Sequence, residues 1–294
     1  MRQKHSIITG IAVIVAAAGG MASVLRAAEK AETDYKPNIT YANVGGEELQ
    51  LDLASPRGLD HAVPGIVVIH GGGWAAGRRQ DMTSMAKDFA SRGYVAATIS
   101  YRFAPKHRFP AQIEDVKCAV RYLRAHAKEM NIDPQRIGAI GISAGAHLSM
   151  MLGTLDSADG FEGDGGNPEQ PSKVQAVVSF VGPVNLVRED YTDAQSRTLE
   201  AFLGGKPQDK RDDCRRASPI TYINAGDAPM LCFFGTKDPL ISVDQAFQIT
   251  SALAAAGVPG RVEVILGAGH GWLGSELTRT VDASANFFDE FLKK

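Results

Sequence analysis

The sequence predicts an α/β protein built on a mostly parallel central sheet, with helices on both faces. Three observations carry that expectation. Six short, continuous apolar runs, at residues 66–69, 95–99, 137–142, 174–180, 230–234 and 262–266, read as strands buried on both faces. Helical patterns lie at 82–91, 111–130, 144–155, 243–256 and 276–292, and strands alternating with helices imply a parallel sheet with right-handed crossovers. A glycine-flanked serine, Gly141-Ile142-Ser143-Ala144-Gly145, stands where one apolar run gives way to a helix.

Taken from the amino terminus, Arg2, Lys4 and His5 precede an apolar run at 7–18, and small residues follow through Gly19, Gly20 and Ala22. A basic start, a short apolar middle and small residues have the layout of a secretory signal peptide. The run is shorter than the roughly 20 residues a membrane helix needs. We therefore expect a leader over 1–28, cleaved near Ala22 or Ala28, no stable membrane span, and export; a retained anchor is the alternative. Residues 39–43 and 48–54 form two strands, the second alternating Leu49, Leu51 and Leu53 with Gln50 and Asp52, the period of a strand wetted on one side. In the helix at 111–130, Ile113, Val116, Val120 and Leu123 recur at helical spacing, with Arg and Lys on the other side. Gly93 and Gly257 end helices, and Asp133-Pro134 marks a turn.

Two stretches break the alternation. Residues 156–171, rich in Gly, Asp and Glu, read as a long solvated surface loop, without the ligand spacing of a calcium loop. Residues 183–227 hold a short helix at 196–203 and much polar sequence, and they are the place for a small lid insertion. No linker divides residues 29–294, which we read as a single domain. The chain has 294 residues, 44% hydrophobic and 22% charged, enough for a large core. A net charge of −2 and the absence of basic blocks give no footprint for nucleic acid. Cys118, Cys214 and Cys232 allow at most one pair, and their apolar surroundings favour buried thiols.

The chemistry rests on residues at the ends of runs. Ser143 sits between strand and helix, the context of a nucleophile elbow, where flanking side chains would collide and glycine is needed. The helix that starts at Ala144 points its unpaired N–H groups and positive dipole end at the reacting centre. His70-Gly71-Gly72-Gly73-Trp74 follows the run at 66–69, and its backbone N–H groups can join that of Ala144 in stabilising an oxyanion. A nucleotide loop would need a different glycine spacing or a following Lys-Ser/Thr. Asp238 follows the run at 230–234 and His270 the run at 262–266, at the carboxyl ends of strands where ligands bind in open α/β sheets. Ser143 is then the nucleophile, His270 the general base and Asp238 the group that orients the imidazole. Asp227 precedes its strand and is the weaker acid. His147, one helical turn past Ser143, is structural, and His61, His107 and His126 lie in a turn, a loop and a helix surface.

The segments 70–74, Tyr101-Arg102-Phe103-Ala104-Pro105, Phe109-Pro110-Ala111 with Glu114-Asp115, and 141–147 together resemble the acetyl-esterase and hormone-sensitive-lipase-like α/β-hydrolases. The match is nearest to the bacterial feruloyl-esterase-like branch and the carbohydrate acetyl esterases. The resemblance implies a serine esterase without cofactor or metal, acting on a small-molecule or carbohydrate ester. It implies Ser143, Asp238 and His270 as triad, Gly72, Gly73 and Ala144 as oxyanion donors, His70 as support for the loop, Asp115 as structural, and Trp74 as a substrate contact. Ile142 departs from the Asp or Glu that many relatives carry before the nucleophile. Too little chain precedes the glycine loop for a large N-terminal cap, so any lid comes from 183–227. An exported peptidase of the same fold and a non-catalytic binding protein are the other readings, and oligomeric state is open.

Overall fold

The apolar runs become strands whose alternate residues feed two separate cores. A computed structural model describes residues 31–294; the leader expected over 1–28 lies outside the described residues. The strands are β1 (Thr33–Val44), β2 (Glu47–Pro56), β3 (Val63–Ile69), β4 (Val95–Ile99), β5 (Ile132–Ile142), β6 (Ala176–Phe180), β7 (Met230–Gly235) and β8 (Gly260–Ile265). They form one eight-stranded sheet in the order β1-β2-β4-β3-β5-β6-β7-β8. β1 pairs antiparallel with β2, and β2 with β4; all other pairs are parallel. The helices are α1 (Thr83–Ser91), α2 (Ala111–Ala125), α3 (Ala144–Thr154), α4 (Asp193–Leu203), α5 (Arg211–Arg216), α6 (Asp244–Ala256) and α7 (Gly274–Leu292).

Side chains on a strand point to opposite faces in turn, and the cores follow that rule. Val67 and Ile69 of β3 join Ala97 and Ile99 of β4 and Met230 and Cys232 of β7 on the face covered by α2, α3 and α6. Ile66 and Val68 join Ala96, Val178, Leu231 and Phe233 on the other face, under α1 and α7. Helices on both faces are what a fully buried parallel sheet requires. All three cysteines are buried and free.

β5 takes in Asp133-Pro134, expected as a turn, and α2 ends at Ala125 and not at 130. Three further differences have a visible cause. The first two strands are longer than 39–43 and 48–54, because Gly45 and Gly46, both at positive φ, make a two-residue hairpin turn. The insertion after β6 contains α5 as well as α4, and α4 starts three residues early because Thr192 and Gln195 cap it reciprocally.

The third difference is the basic side of α2. The stretch at 156–171 is not simply solvated: it lies over that side and supplies its counter-charge. Lys117 and Arg121 are buried, and both meet Glu162, at 3.0 and 2.6 Å. Ser172 donates to the same carboxylate at 2.8 Å, and the Arg121 Nε–H donates to the Gly166 carbonyl at 3.0 Å. Burial drives the Lys117 ammonium below its ordinary range. Glu162 is held below its own: partial burial opposes this, and Lys117, Ser172 and Arg121 together outweigh it.

The parallel register sets where function can be built. Ile69 stands opposite Gly141, Ile142 opposite Phe180, and Gly235 opposite Ile265. The carboxyl ends of β3, β5, β7 and β8 are thus in line, and the loops that leave them meet on one edge of the sheet.

Candidate active site

Ser143 leaves β5 at φ 57° and ψ −120° and is the last residue before α3, a conformation that costs an L-residue energy and persists only where the surroundings impose it. They do so by close packing. A side chain at Gly141 would run into the Gly145 backbone, and one at Gly145 would run into the Ile69 carbonyl at the end of β3. The Ser143 N–H donates to the Phe180 carbonyl at 2.8 Å. The elbow is therefore wedged against two neighbouring strands, and its hydroxyl projects above them.

The other two expected partners arrive there. His270 Nε2 lies 2.8 Å from the Ser143 Oγ, and His270 Nδ1 lies 2.8 Å from Asp238 Oδ2. The Asp238 side chain is shielded from water, and its second oxygen accepts from the N–H groups of Leu240 at 2.8 Å and Ile241 at 3.0 Å. A carboxylate can only accept, so His270 carries its proton on Nδ1 and presents a lone pair to the serine. The remaining candidates are elsewhere. Asp227 is paired with Lys173 at 2.7 Å, His61 is exposed beside Asp60, His107 faces Glu47, and His126 stacks on Tyr122. His5 lies outside the described residues.

The glycine loop lies against the elbow, with Gly71 so near that a Cβ there would sit 2.9 Å from the Ile142 carbonyl. Gly72, at φ 117°, turns the chain tightly enough that its carbonyl accepts from both Ala75 and Ala76. Among the described residues nothing accepts from the N–H groups of Gly72, Gly73 or Ala144. All three residues border the same cleft as Ser143 and His270. Behind the loop, His70 is buried, stacks on Tyr101 with ring centroids 4.5 Å apart, and donates from Nδ1 to the Gly71 carbonyl at 2.7 Å. Tyr101 is followed by Arg102, whose N–H and Nε–H donate to buried Asp115 at 2.7 and 2.9 Å.

The cleft holds about 370 Å³. Trp74 borders it, but only 4% of the residue is exposed: its ring stacks on Phe202 of α4 at 4.3 Å. It is a wall more than a free contact. Most of the lining was not foreseen. Leu186, Arg188 and Tyr191 come from the chain after β6, Thr198 and Leu199 from α4, and Leu240 and Ile241 from beside Asp238. Arg188 is the one Lys, Arg, Asp or Glu in the lining, and Asp190 and Asp244 pair with it at 2.7 and 3.2 Å. The sequence marked only the position of this insertion.

A mostly parallel sheet of this order, with a serine on its strand-to-helix elbow, defines an α/β-hydrolase. Comparison with known proteins narrows the class. Residues 51–253 match the BD-FAE family, and the chain belongs to it. The chain is similar to the esterase LipC of Mycobacterium tuberculosis, 32% identical over 222 residues that make up 71% of this chain and 53% of LipC. It spans about half the length of the first curated relatives it matches. Among solved structures it is similar to a truncated carbohydrate esterase from gut microbiota, with a TM-score of 0.79 and 28% identity over 91% of this chain and 99% of that one. The thermophilic esterase Est2 of the planctomycete Thermogutta terrifontis superposes with a TM-score of 0.73 and 28% identity, covering 89% of this chain and 92% of Est2. No helix among the described residues is long and apolar enough to cross a membrane.

Proposed function

We propose that this chain is an exported serine carboxylesterase that cleaves short-chain acyl or feruloyl esters of carbohydrates through an acyl-enzyme. The observation that carries the reading is the line of two 2.8 Å contacts from Asp238 through His270 to Ser143, opening on a cleft of about 370 Å³. Ser143 attacks the ester carbonyl while His270 takes the hydroxyl proton. The N–H groups of Gly72, Gly73 and Ala144 receive the negative oxygen that forms, each worth on the order of 100- to 1000-fold in turnover. The intermediate collapses, the alcohol leaves with the proton from His270, and water repeats the sequence on the acylated serine. Asp238 keeps the imidazole in the tautomer that makes both transfers possible.

The cleft supports an uncharged acyl group. Its lining is largely apolar, and the Arg188 charge is met by two carboxylates. The carbohydrate alcohol rests on the likeness to carbohydrate esterases. Export rests on the leader in the sequence.

The test is a panel of p-nitrophenyl esters, acetylated xylan and feruloylated oligosaccharides, run on wild type and Ser143→Ala. We expect Ser143→Ala to lose on the order of 10⁵- to 10⁶-fold in kcat and acylated sugars to be turned over faster than simple aryl esters of the same acyl group. Full activity in Ser143→Ala removes the mechanism, and equal or lower rates on the sugars remove the carbohydrate substrate. The intact mass of the exported protein checks the leader.

A further inference from the structure

Helix α3 carries, one turn past Ser143, a histidine that no step of the ester chemistry uses. His147 is fully buried, and both ring nitrogens are engaged: Nε2 lies 2.6 Å from the Ala217 carbonyl and Nδ1 3.2 Å from the Trp74 indole nitrogen. A carbonyl can only accept and an indole N–H can only donate. The two partners therefore fix the ring as neutral, with its proton on Nε2. One imidazole joins the nucleophile helix, the end of the glycine loop and the chain that follows α5.

Trp74 needs such a hold. It stands at φ 60°, a left-handed conformation that a bulky L-residue does not keep unaided. It follows directly on Gly73, so any relaxation of Trp74 turns the Gly72 and Gly73 N–H groups. Stacking on Phe202 sets the plane of the indole but lets it slide within that plane. The backbone bond from the Ala104 N–H to the Trp74 carbonyl holds the main chain on one side only. The bond to His147 is directional and stops the slide. His147 also shares a helix with Ala144, the third N–H of the oxyanion pocket.

We infer that His147 is a positioning residue for that pocket: its hydrogen bond to Trp74 sets the spacing between the Gly72 and Gly73 donors on the loop and the Ala144 donor on α3. The inference rests on the ester-hydrolase reading and sharpens it.

Two substitutions at one position separate the bonds. In His147→Asn the amide oxygen lies where Nδ1 was and still accepts from Trp74, while the bond to Ala217 is lost. In His147→Gln the amide reaches the Nε2 position and still donates to Ala217, while the acceptor for Trp74 is lost. Each variant forfeits one hydrogen bond, so a merely structural histidine predicts equal losses of activity. The positioning role predicts that His147→Gln loses roughly tenfold in kcat on p-nitrophenyl acetate, with KM nearly unchanged, and that His147→Asn recovers most of it. Affinity for a short alkylboronic acid, which forms a tetrahedral adduct on the serine, falls with kcat in His147→Gln. If His147→Gln does not fold, Trp74→Phe removes the same bond from the donor side and keeps the stack on Phe202. It loses the same tenfold in kcat, whereas His147→Asn, which keeps the acceptor, loses little. An inert wild type removes the ester reading and this inference with it. An active wild type with equal losses in the Asn and Gln variants, or with a Trp74→Phe variant whose kcat matches wild type, removes the inference alone.

Discussion

The strand ends and the 183–227 insertion build opposite sides of one cleft by different means. On the strand side, Ser143, Asp238 and His270 are placed by sheet register: β5, β7 and β8 finish in line, and each contributes one residue within a few positions of its end. On the other side nothing repeats. The insertion reaches the site through scattered contacts, of which three stand out. Gln195 Nε2–H donates to the Leu240 carbonyl at 2.6 Å, Phe202 stacks on Trp74, and the Ala217 carbonyl accepts from His147. The sheet thus sets the geometry of the three reactive side chains, while side chains of the irregular segment form the walls of the cleft.

Substitutions on the two sides should differ in kind as well as size. Asp238→Asn keeps an acceptor for the Leu240 and Ile241 N–H groups but favours the wrong imidazole tautomer. We expect kcat to fall about 10⁴-fold with the melting temperature little changed; a variant within tenfold of wild type would assign the acid elsewhere. On the insertion side, Phe202→Ala empties a fully buried ring site beneath Trp74. It should cost about 3–4 kcal/mol of stability, seen as a melting temperature lower by roughly 6–12 °C. An unchanged melting temperature would mean that the insertion is not packed as described.

A third measurement uses acid. Burial pushes the His147 imidazole down to about 4, whereas in the unfolded chain it titrates near its ordinary value of about 6.5. The folded value is the lower one, so the unfolded state binds the proton first. The stabilisation is complete above about pH 6.5 and is lost as pH falls from there towards about 4, by roughly 2–3 kcal/mol at pH 4.5. Thermal melts at pH 7 and 4.5 should show a smaller acid loss in His147→Gln than in wild type, by about 5–10 °C. Equal losses would show that His147 does not take up the proton. The smallest effect is Gln195→Ala, which unties α4 from the loop beside Asp238. Melting should move by no more than a few degrees, and the ratio of kcat/KM for butyrate over acetate esters should shift a few-fold; no shift would make that contact irrelevant to selection.

The same contrast explains what the sequence made legible. Ser143, Asp238 and His270 could be read because each follows an apolar run, and the run itself reports the strand. Gly72 and Gly73 could be read because consecutive glycines at a strand end have few structural uses. Leu186, Tyr191 and Thr198 could not, since no period or motif ties a residue of the insertion to a place on the cleft wall. His147 was read as structural, and its partners Trp74 and Ala217, 73 and 70 residues away, could not be read at all. The loop at 156–171 shows the same limit. Local spacing shows that Lys117 and Arg121 share a face, but only the tertiary fold brings Glu162 to cover it.

That cover decides where the chain tolerates new ends. Residues 156–171 have the composition of a disposable loop, but trimming or opening it would strand two buried cations, each uncompensated charge costing several kcal/mol. The hairpin turn at Gly45-Gly46, where side chains at either glycine would meet open space, carries no such debt. Circular permutation or insertion of a reporter belongs at the hairpin, on chain that neither the charges of α2 nor the cleft depends on.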